Sequence, residues 1–185
     1  MRSRSASAGT VYTVGHSTRT TRELIELLRA HRVEQVVDVR TIPRSRHNPQ
    51  FDRPALSRSL HAVRLGYRHL KALGGLRHAR ADSTNLGWRN ASFRGFADHM
   101  QTDEFAGALA RLEKIAARRP TAIMCAEAVP WRCHRSLIAD ALTVAGWRVL
   151  HIQSRRTARR HRRTPFLRVR GGTLRYPAPR KTSQL

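Results

Sequence analysis

Short apolar runs alternate along this chain with stretches in which apolar residues recur at the spacing of one helix face. The runs cover residues 11–15, 36–40, 121–125 and 147–152, and residues 67–70 are compatible with a further short strand. Continuous apolar runs are typical of strands that are buried on both faces, as they are in parallel sheets. The alternation therefore predicts an α/β fold, a mostly parallel sheet with helices on both faces in a Rossmann-like three-layer arrangement.

Signals for helix ends support the helices of this pattern. Thr20 and Glu23 have the spacing of a capping box, which predicts a helix that continues to about His31. Asp52, followed closely by a proline, predicts the start of a second helix. Residues 73–90 are rich in Gly, Asn, Ser and Asp and predict a long loop. Apolar residues at helical spacing indicate two later helices, one with Phe105, Leu109, Leu112 and Ile115 and one with Leu137, Ile138, Ala141 and Leu142.

Basic residues outnumber acidic ones by 36 to 12, which gives a formal net charge of +24. This balance favours polyanionic partners such as nucleic acid. The excess is strongest from Ser154 onward, where there are ten Arg, one Lys and no acidic residue. The chain is therefore predicted to have a disordered segment at 1–10, an α/β domain at 11–153 and a basic tail or loosely docked extension at 154–185, with a short hairpin compatible with residues 166–176.

The basic tail predicts contacts with the phosphates of DNA or RNA. Such contacts carry no base information, so we expect binding without strong sequence preference. We also expect that removal of the tail leaves the fold intact. The arginines assigned to this role are Arg155, Arg156, Arg159, Arg160, Arg162 and Arg163.

Cysteine usage and hydropathy indicate a cytoplasmic protein. Two cysteines in 185 residues do not form a disulfide framework. No apolar run approaches the roughly 18 residues of a membrane span, so no membrane partner is expected. The N-terminus lacks the apolar core of a secretory signal.

Polar residues that could take part in binding or catalysis follow several of the predicted strands. In parallel α/β sheets, ligands bind beyond the carboxyl ends of the strands, so these segments should meet at one edge. A site for a small anionic ligand is predicted there. Its binding residues would be His16, Ser17, Asp38, Arg40, Arg46 and Arg135, and its catalytic residues Cys133, Cys125, Glu127 and His134.

In this site Cys133 or Cys125 would be the nucleophile, and Glu127 or His134 would move protons. Cys133 and His134 are predicted to begin a helix, where N–H groups lower the pKa of a thiol. Cys133 is therefore expected to be alkylated faster than Cys125. A buried cysteine is also often a small packing residue, which is the alternative for both thiols.

A metal site is the other chemical option. Cys125, Cys133, His134 and His16 could supply a tetrahedral set of sulfur and nitrogen ligands. Neighbours on a helix point about 100° apart, which would strain a set that includes both Cys133 and His134. We therefore predict no metal and no cofactor, with zinc as the alternative.

Five segments together resemble a known family. They are TVGHS at 13–17, DVRTIPRSR at 38–46, Phe51, YRHLKALGG at 67–75 and CAEAVPWRCHR at 125–135. The combination resembles the family called domain of unknown function 488, over about residues 11–152. The resemblance implies a small cytosolic bacterial protein with an uncharacterised role, and it implies no reaction.

Three functions remain open from the sequence. The protein could be an enzyme that acts on a phosphate-bearing or nucleic-acid substrate, a non-catalytic module that binds nucleic acid through its tail, or a structural domain whose polar edge is a hydrogen-bonded network. The position of the thiols separates the first from the others, because thiols that are both buried and far from Arg40 and Arg46 would exclude the enzyme.

Overall fold

The computed structural model describes residues 8–179, so most of the segment predicted to be disordered, residues 1–7, lies outside the described residues. The strands are β1 (Thr10–Gly15), β2 (Gln35–Asp38), β3 (Gly66–His69), β4 (Thr121–Cys125), β5 (Arg148–Ile152) and β6 (Ala158–Arg160). They form one sheet in the order β3-β2-β4-β1-β5-β6, which is parallel except for the antiparallel pair β5 and β6. The predicted mostly parallel sheet is confirmed.

In the part of the chain that the structure describes, five α-helices flank the sheet: α1 (Thr21–Ala30), α2 (Arg53–Ala62), α3 (Ala91–His99), α4 (Asp103–Ala116) and α5 (Arg135–Val144). The side chains of β4 alternate between two cores. Ala122 and Met124 pack with the core that includes Leu24 and Leu56 of α1 and α2, whereas Ile123 packs with the core of the other three helices. A strand buried on both faces needs apolar residues at every position, which explains its continuous apolar run.

One predicted helix cap is present in the structure, and one further cap begins a helix that was not predicted. The side chain of Thr20 accepts from the Glu23 N–H, and Glu23 accepts from the Thr20 N–H at 2.6 Å, so the capping box is complete. Helix α3 was not predicted. It follows Asn90, whose side chain caps the N–H groups of Ser92 and Phe93.

The segment after Ser154 is partly docked on the rest of the fold. Besides β6, it forms a hairpin from β7 (Arg168–Arg170) and β8 (Thr173–Arg175), as expected for residues 166–176. Gly171 and Gly172 form its turn with φ of 54° and 77°, values that a two-residue hairpin turn requires and that glycine adopts without strain. The buried side chain of Tyr176 then packs in the core beside α5. Within residues 8–179, no helix is long and apolar enough to cross a membrane.

Candidate active site

The register of the sheet brings three polar segments to one edge. Gly15 pairs with Cys125, and Asp38 pairs with Met124, so β1, β2 and β4 end at the same level. Backbone hydrogen bonds extend this pairing past the strands, from the His16 N–H to the carbonyl of Cys125 at 3.0 Å. A Cβ on Gly15 would collide with the carbonyl oxygen of Glu127, so only glycine lets the two segments approach this closely.

Asp38 and Arg40 form a buried ion pair at this edge. The Arg40 guanidinium donates to both carboxylate oxygens of Asp38, with the shortest contact at 2.7 Å, and also to the carbonyl of Phe51 at 2.8 Å. The hydroxyl of Tyr67 donates to Asp38 at 2.7 Å. Burial by itself would lower the pKa of Arg40. The hydrogen bonds to Asp38 and the charge of Asp38 outweigh this effect, so the pKa of Arg40 is raised. Most donors of Arg40 are therefore used inside the protein, so this residue organises the edge and offers little to a ligand.

His16 belongs to the same network. Its Nδ1–H donates to the carbonyl of Ser17 at 2.8 Å, which leaves Nε2 to accept from Arg40 at 3.3 Å. The ring stacks on Phe51 with 4.2 Å between centroids. Burial lowers the pKa of His16, and the charge of Arg40 lowers it further, so the ring is neutral near pH 7. Ser17, half-buried, has a left-handed φ of 50°, a conformation that clusters at functional sites.

Cys125, Cys133 and His134 form a compact cluster next to this network. One donor atom of each lies within 4.8 Å of the donor atoms of the other two. Cys133 does not begin the helix, contrary to the sequence prediction. It has extended backbone angles, φ of −131° and ψ of 141°, because it ends the 3₁₀ turn Pro130–Arg132, and α5 starts at Arg135. The expected strain against a shared metal ion therefore does not arise.

The hydrogen bonds of His134 fix where its proton lies. Nε2 is 3.1 Å from the carbonyl of Val39, and a carbonyl only accepts, so Nε2 carries a hydrogen. Nδ1 is left facing the sulfur of Cys133 at 3.7 Å. Orientation of one ring nitrogen by a backbone carbonyl is common for histidines that bind metals or move protons.

The two thiols have opposite acidities. Donation from the Cys133 thiol lowers the pKa of Cys125, with further lowering by His134 and by the backbone N–H of Glu127. The same hydrogen bond, together with burial, raises the pKa of Cys133. The expectation that Cys133 has the lower pKa depended on a position at the start of the helix, and the structure places Cys133 before α5 instead. Both are largely buried, at 8% and 4% exposure.

Arg135 is the most unusual group of the cluster. Its side chain is only 1% exposed, and Nη2 donates to the carbonyl of Ala128 at 3.1 Å. Within residues 8–179, neither Nε nor Nη1 has a hydrogen-bond partner. Burial lowers the pKa of Arg135, and the opposing effects of Cys133, Cys125 and Glu127 do not cancel this lowering. Buried donors without partners are rare and unfavourable, so this guanidinium favours an anion beside the thiols.

The remaining predicted residues are spread out. Glu127 is exposed on the loop after β4, close enough to act on the charge of Arg135. Arg46 is also exposed, and among the described residues it makes no hydrogen bond or ion pair with the cluster. Five of the six predicted nucleic-acid residues divide between two surfaces, and Arg163 is exposed but lines neither of them. Arg155 pairs with Glu26 at 3.4 Å, while Arg159, Arg160 and Arg162 line a cleft beside the loop that follows β4.

Sequence reasoning missed Tyr67, the second partner of Asp38. The register pairs His69 with Asp38, which places Tyr67 two residues away on the same face of the sheet. Only knowledge that β2 and β3 are neighbours would have revealed it.

The thiol cluster lies within a region that is shared with a known family. No curated protein and no solved structure matches the chain significantly. The family model described as "Domain of unknown function DUF488" matches residues 20–142, which is more than half of the chain and includes Asp38, Arg40 and the whole segment from Cys125 to Arg135. The chain therefore belongs to the family of the domain of unknown function DUF488.

Proposed function

We propose that the protein is an enzyme that acts on an anionic, phosphate-bearing substrate through the thiolate of Cys125. The unused donors of the buried Arg135, next to two thiols, carry this proposal. A guanidinium with free N–H groups matches the oxygens of a phosphate and also stabilises a neighbouring thiolate.

The roles of the other residues follow from their contacts. Cys133 donates to the sulfur of Cys125 and so keeps it ionised, which a nucleophile requires. His134 lies beside this pair, with Nδ1 at 3.7 Å from the sulfur of Cys133, and its ring is fixed by the carbonyl of Val39. Glu127 is exposed at the outer side of the loop, where it is available to exchange protons with the substrate. The network of Asp38, Arg40 and His16 holds the loop below the cluster in place.

The attack would form a sulfur–phosphorus bond as the bond from phosphorus to the leaving oxygen breaks. The leaving oxygen takes a proton from Glu127 or from water. Water then cleaves the sulfur–phosphorus bond, which releases phosphate and restores the thiolate of Cys125. The oxygens of the transferred group gain negative charge during both steps. Arg135 is placed to stabilise that charge, which is the usual role of an arginine in phosphoryl transfer.

The test compares the reactivity of the two thiols. Iodoacetamide labelling across pH, with mass spectrometry to assign each site, should show Cys125 modified first and at a pH below about 8.5, the pKa of a free thiol. Inorganic phosphate should slow the reaction. Labelling of the unfolded protein provides the control for accessibility, and Cys133→Ser should raise the pH at which Cys125 reacts.

A panel of phosphate-bearing substrates then tests turnover, which Cys125→Ser should abolish. Faster labelling of Cys133, or two inert thiols, would contradict the proposal. Stoichiometric zinc in the purified protein would replace it with a metal site of Cys125, Cys133 and His134, since three protein ligands are the number that catalytic zinc sites use.

A further inference from the structure

A concave surface lies at the same edge of the sheet as the thiols, on the side of β5 and β6. It is a cleft of about 680 Å³ between the loop that follows β4 and the segment from Arg159 to Phe166. This volume is within the range of roughly 300–1,000 Å³ that is typical of ligand sites. Neither cysteine lines it, so what binds there does not depend on the proposed thiol chemistry.

The charge of the cleft has one sign. Arg159, Arg160 and Arg162 line it and are exposed, and His151 and His161 form part of its wall. No Asp or Glu is among the described residues that line it. Arginines without acidic neighbours in a concave surface concentrate positive potential and favour a polyanion.

Aromatic side chains stand among these charges. Trp131 lines the cleft and is 66% exposed, whereas its neighbour Pro130 is buried. Tryptophan has the largest side chain, so this exposure leaves a large aromatic surface in the cleft. Trp88 and Phe166 line the opposite part, where their rings pack edge to face at 5.0 Å. Alternation of aromatic rings with arginines is the arrangement that binds unpaired nucleotides, because bases stack on the rings while phosphates pair with the cations.

The wall of the cleft is held rigidly. His161 Nε2 donates to Asp140 of α5 at 2.8 Å, and its Nδ1 accepts from His151 Nε2 at 3.0 Å. The hydroxyl of Thr164 adds a 2.7 Å hydrogen bond to Asp140. The arginines of β6 and of the segment after it therefore project from an anchored backbone, and binding does not require this segment to be ordered first.

We propose that this cleft binds single-stranded nucleic acid, with an unpaired base stacked on Trp131 and the neighbouring phosphates held by Arg159, Arg160 and Arg162. Duplex DNA is disfavoured because its bases are already stacked and cannot reach the indole ring. Arg155 and Arg156 lie on another surface, with Glu23 and Glu26, and take no part.

The test measures binding of fluorescein-labelled single-stranded oligonucleotides, oligo(dT) and oligo(U) of about 20 nucleotides, by fluorescence anisotropy over a range of salt concentrations. Trp131→Ala should weaken binding by about ten-fold or more, whereas Trp131→Phe should retain most of it. The double variant Arg159→Ala/Arg160→Ala should reduce the salt dependence by about 0.7 log unit per log unit of salt for each phosphate that the arginines no longer neutralise.

The matched control is the double variant Arg155→Ala/Arg156→Ala, which removes the same charge outside the cleft. It should bind with an affinity close to that of the wild type. Equal losses of affinity in the two double variants would show attraction by net charge alone and overturn the proposal, as would tight binding by Trp131→Ala or a preference for a duplex of the same length. Binding of anionic phospholipid vesicles in place of the oligonucleotides would assign the cleft to a membrane surface instead.

Discussion

The hydroxyl of Tyr176 donates a 3.0 Å hydrogen bond to Oδ2 of Asp140, a buried carboxylate on α5. Asp140 also accepts from His161 and Thr164, so three residues from the C-terminal part of the chain meet at this one group. Burial raises the pKa of Tyr176, with Asp140 adding to the effect, so its hydroxyl stays protonated and remains a donor. Asp140 is thus one anchor of the basic C-terminal segment, together with the pairing of β6 with β5 and the burial of Tyr176.

Truncation after residue 154 should therefore destabilise the fold, in contrast to what the composition of the tail suggests. The deletion removes the fully buried Tyr176 and the hydrogen bonds that His161, Thr164 and Tyr176 donate to Asp140, at an expected loss of at least about 3 kcal/mol. Urea unfolding of the truncated and full chains measures this. Tyr176→Phe, which removes only the hydroxyl, should lose about 1–3 kcal/mol. An unchanged midpoint in the truncated chain would show that the docking contributes nothing.

Stability should fall as the pH drops below about 6.5. Burial lowers the pKa of His151 to about 3, with His161 and Arg135 adding to the effect and Asp140 opposing it. The unfolded chain binds a proton at this histidine near pH 6.5, whereas the folded chain does not until about pH 3, so protonation favours the unfolded state between these values. The slope should reach about 1.4 kcal/mol per pH unit for such a histidine. Buried His16 and His99 shift in the same direction.

Urea unfolding at pH 7.5, 6 and 5 measures this dependence. His151→Gln keeps a donor and an acceptor near Thr13 and His161 but removes the titrating group, so its slope should be shallower. A free energy of unfolding that is constant or rises on acidification contradicts the prediction.

Arg135→Met should separate stability from ligand binding. The substitution removes a buried charge with two unused donors and replaces it by an apolar chain of similar length, so the free energy of unfolding should stay the same or increase by about 1–3 kcal/mol. Thermal unfolding measures this with and without inorganic phosphate. Phosphate should raise the melting temperature of the wild type and leave that of Arg135→Met unchanged. A variant that is strongly destabilised would mean that Arg135 has a structural role.

Asp38→Asn should be among the most damaging substitutions at the edge of the sheet. It leaves the buried Arg40 without its counter-charge and should reduce the free energy of unfolding by about 3–5 kcal/mol. Tyr67→Phe removes one hydrogen bond to the same carboxylate and should lose about 1–3 kcal/mol. Chemical unfolding of both variants gives the ranking, and an Asn variant as stable as the Phe variant would contradict the importance of the ion pair.

The sequence predicts the sheet well because each central strand is buried on both faces and must be apolar throughout. Helix α3 escapes this reasoning, since its Gly95 weakens the helical pattern. That glycine is required by the close approach of the Arg77 carbonyl, a contact between segments that are distant in sequence. The backbone conformation of Cys133 was also missed, because a 3₁₀ turn at Pro130–Arg132 delays the start of α5 by two residues. That the polar segments meet at one edge of the sheet follows from the order of the strands. The pKa of each thiol depends instead on which thiol donates the hydrogen bond between them.

The position of β1 in the sheet has a consequence for synthesis on the ribosome. Among the strands of the described residues, β1 is the first to be synthesised, yet its two neighbours are β4 and β5. About 110 residues separate Gly15 from its partner Cys125. Until then the apolar strand has both edges unpaired, the condition in which nascent chains associate wrongly or recruit chaperones. Folding of the sheet is therefore a late event that requires nearly the whole chain, and the thiol cluster is assembled in the same step.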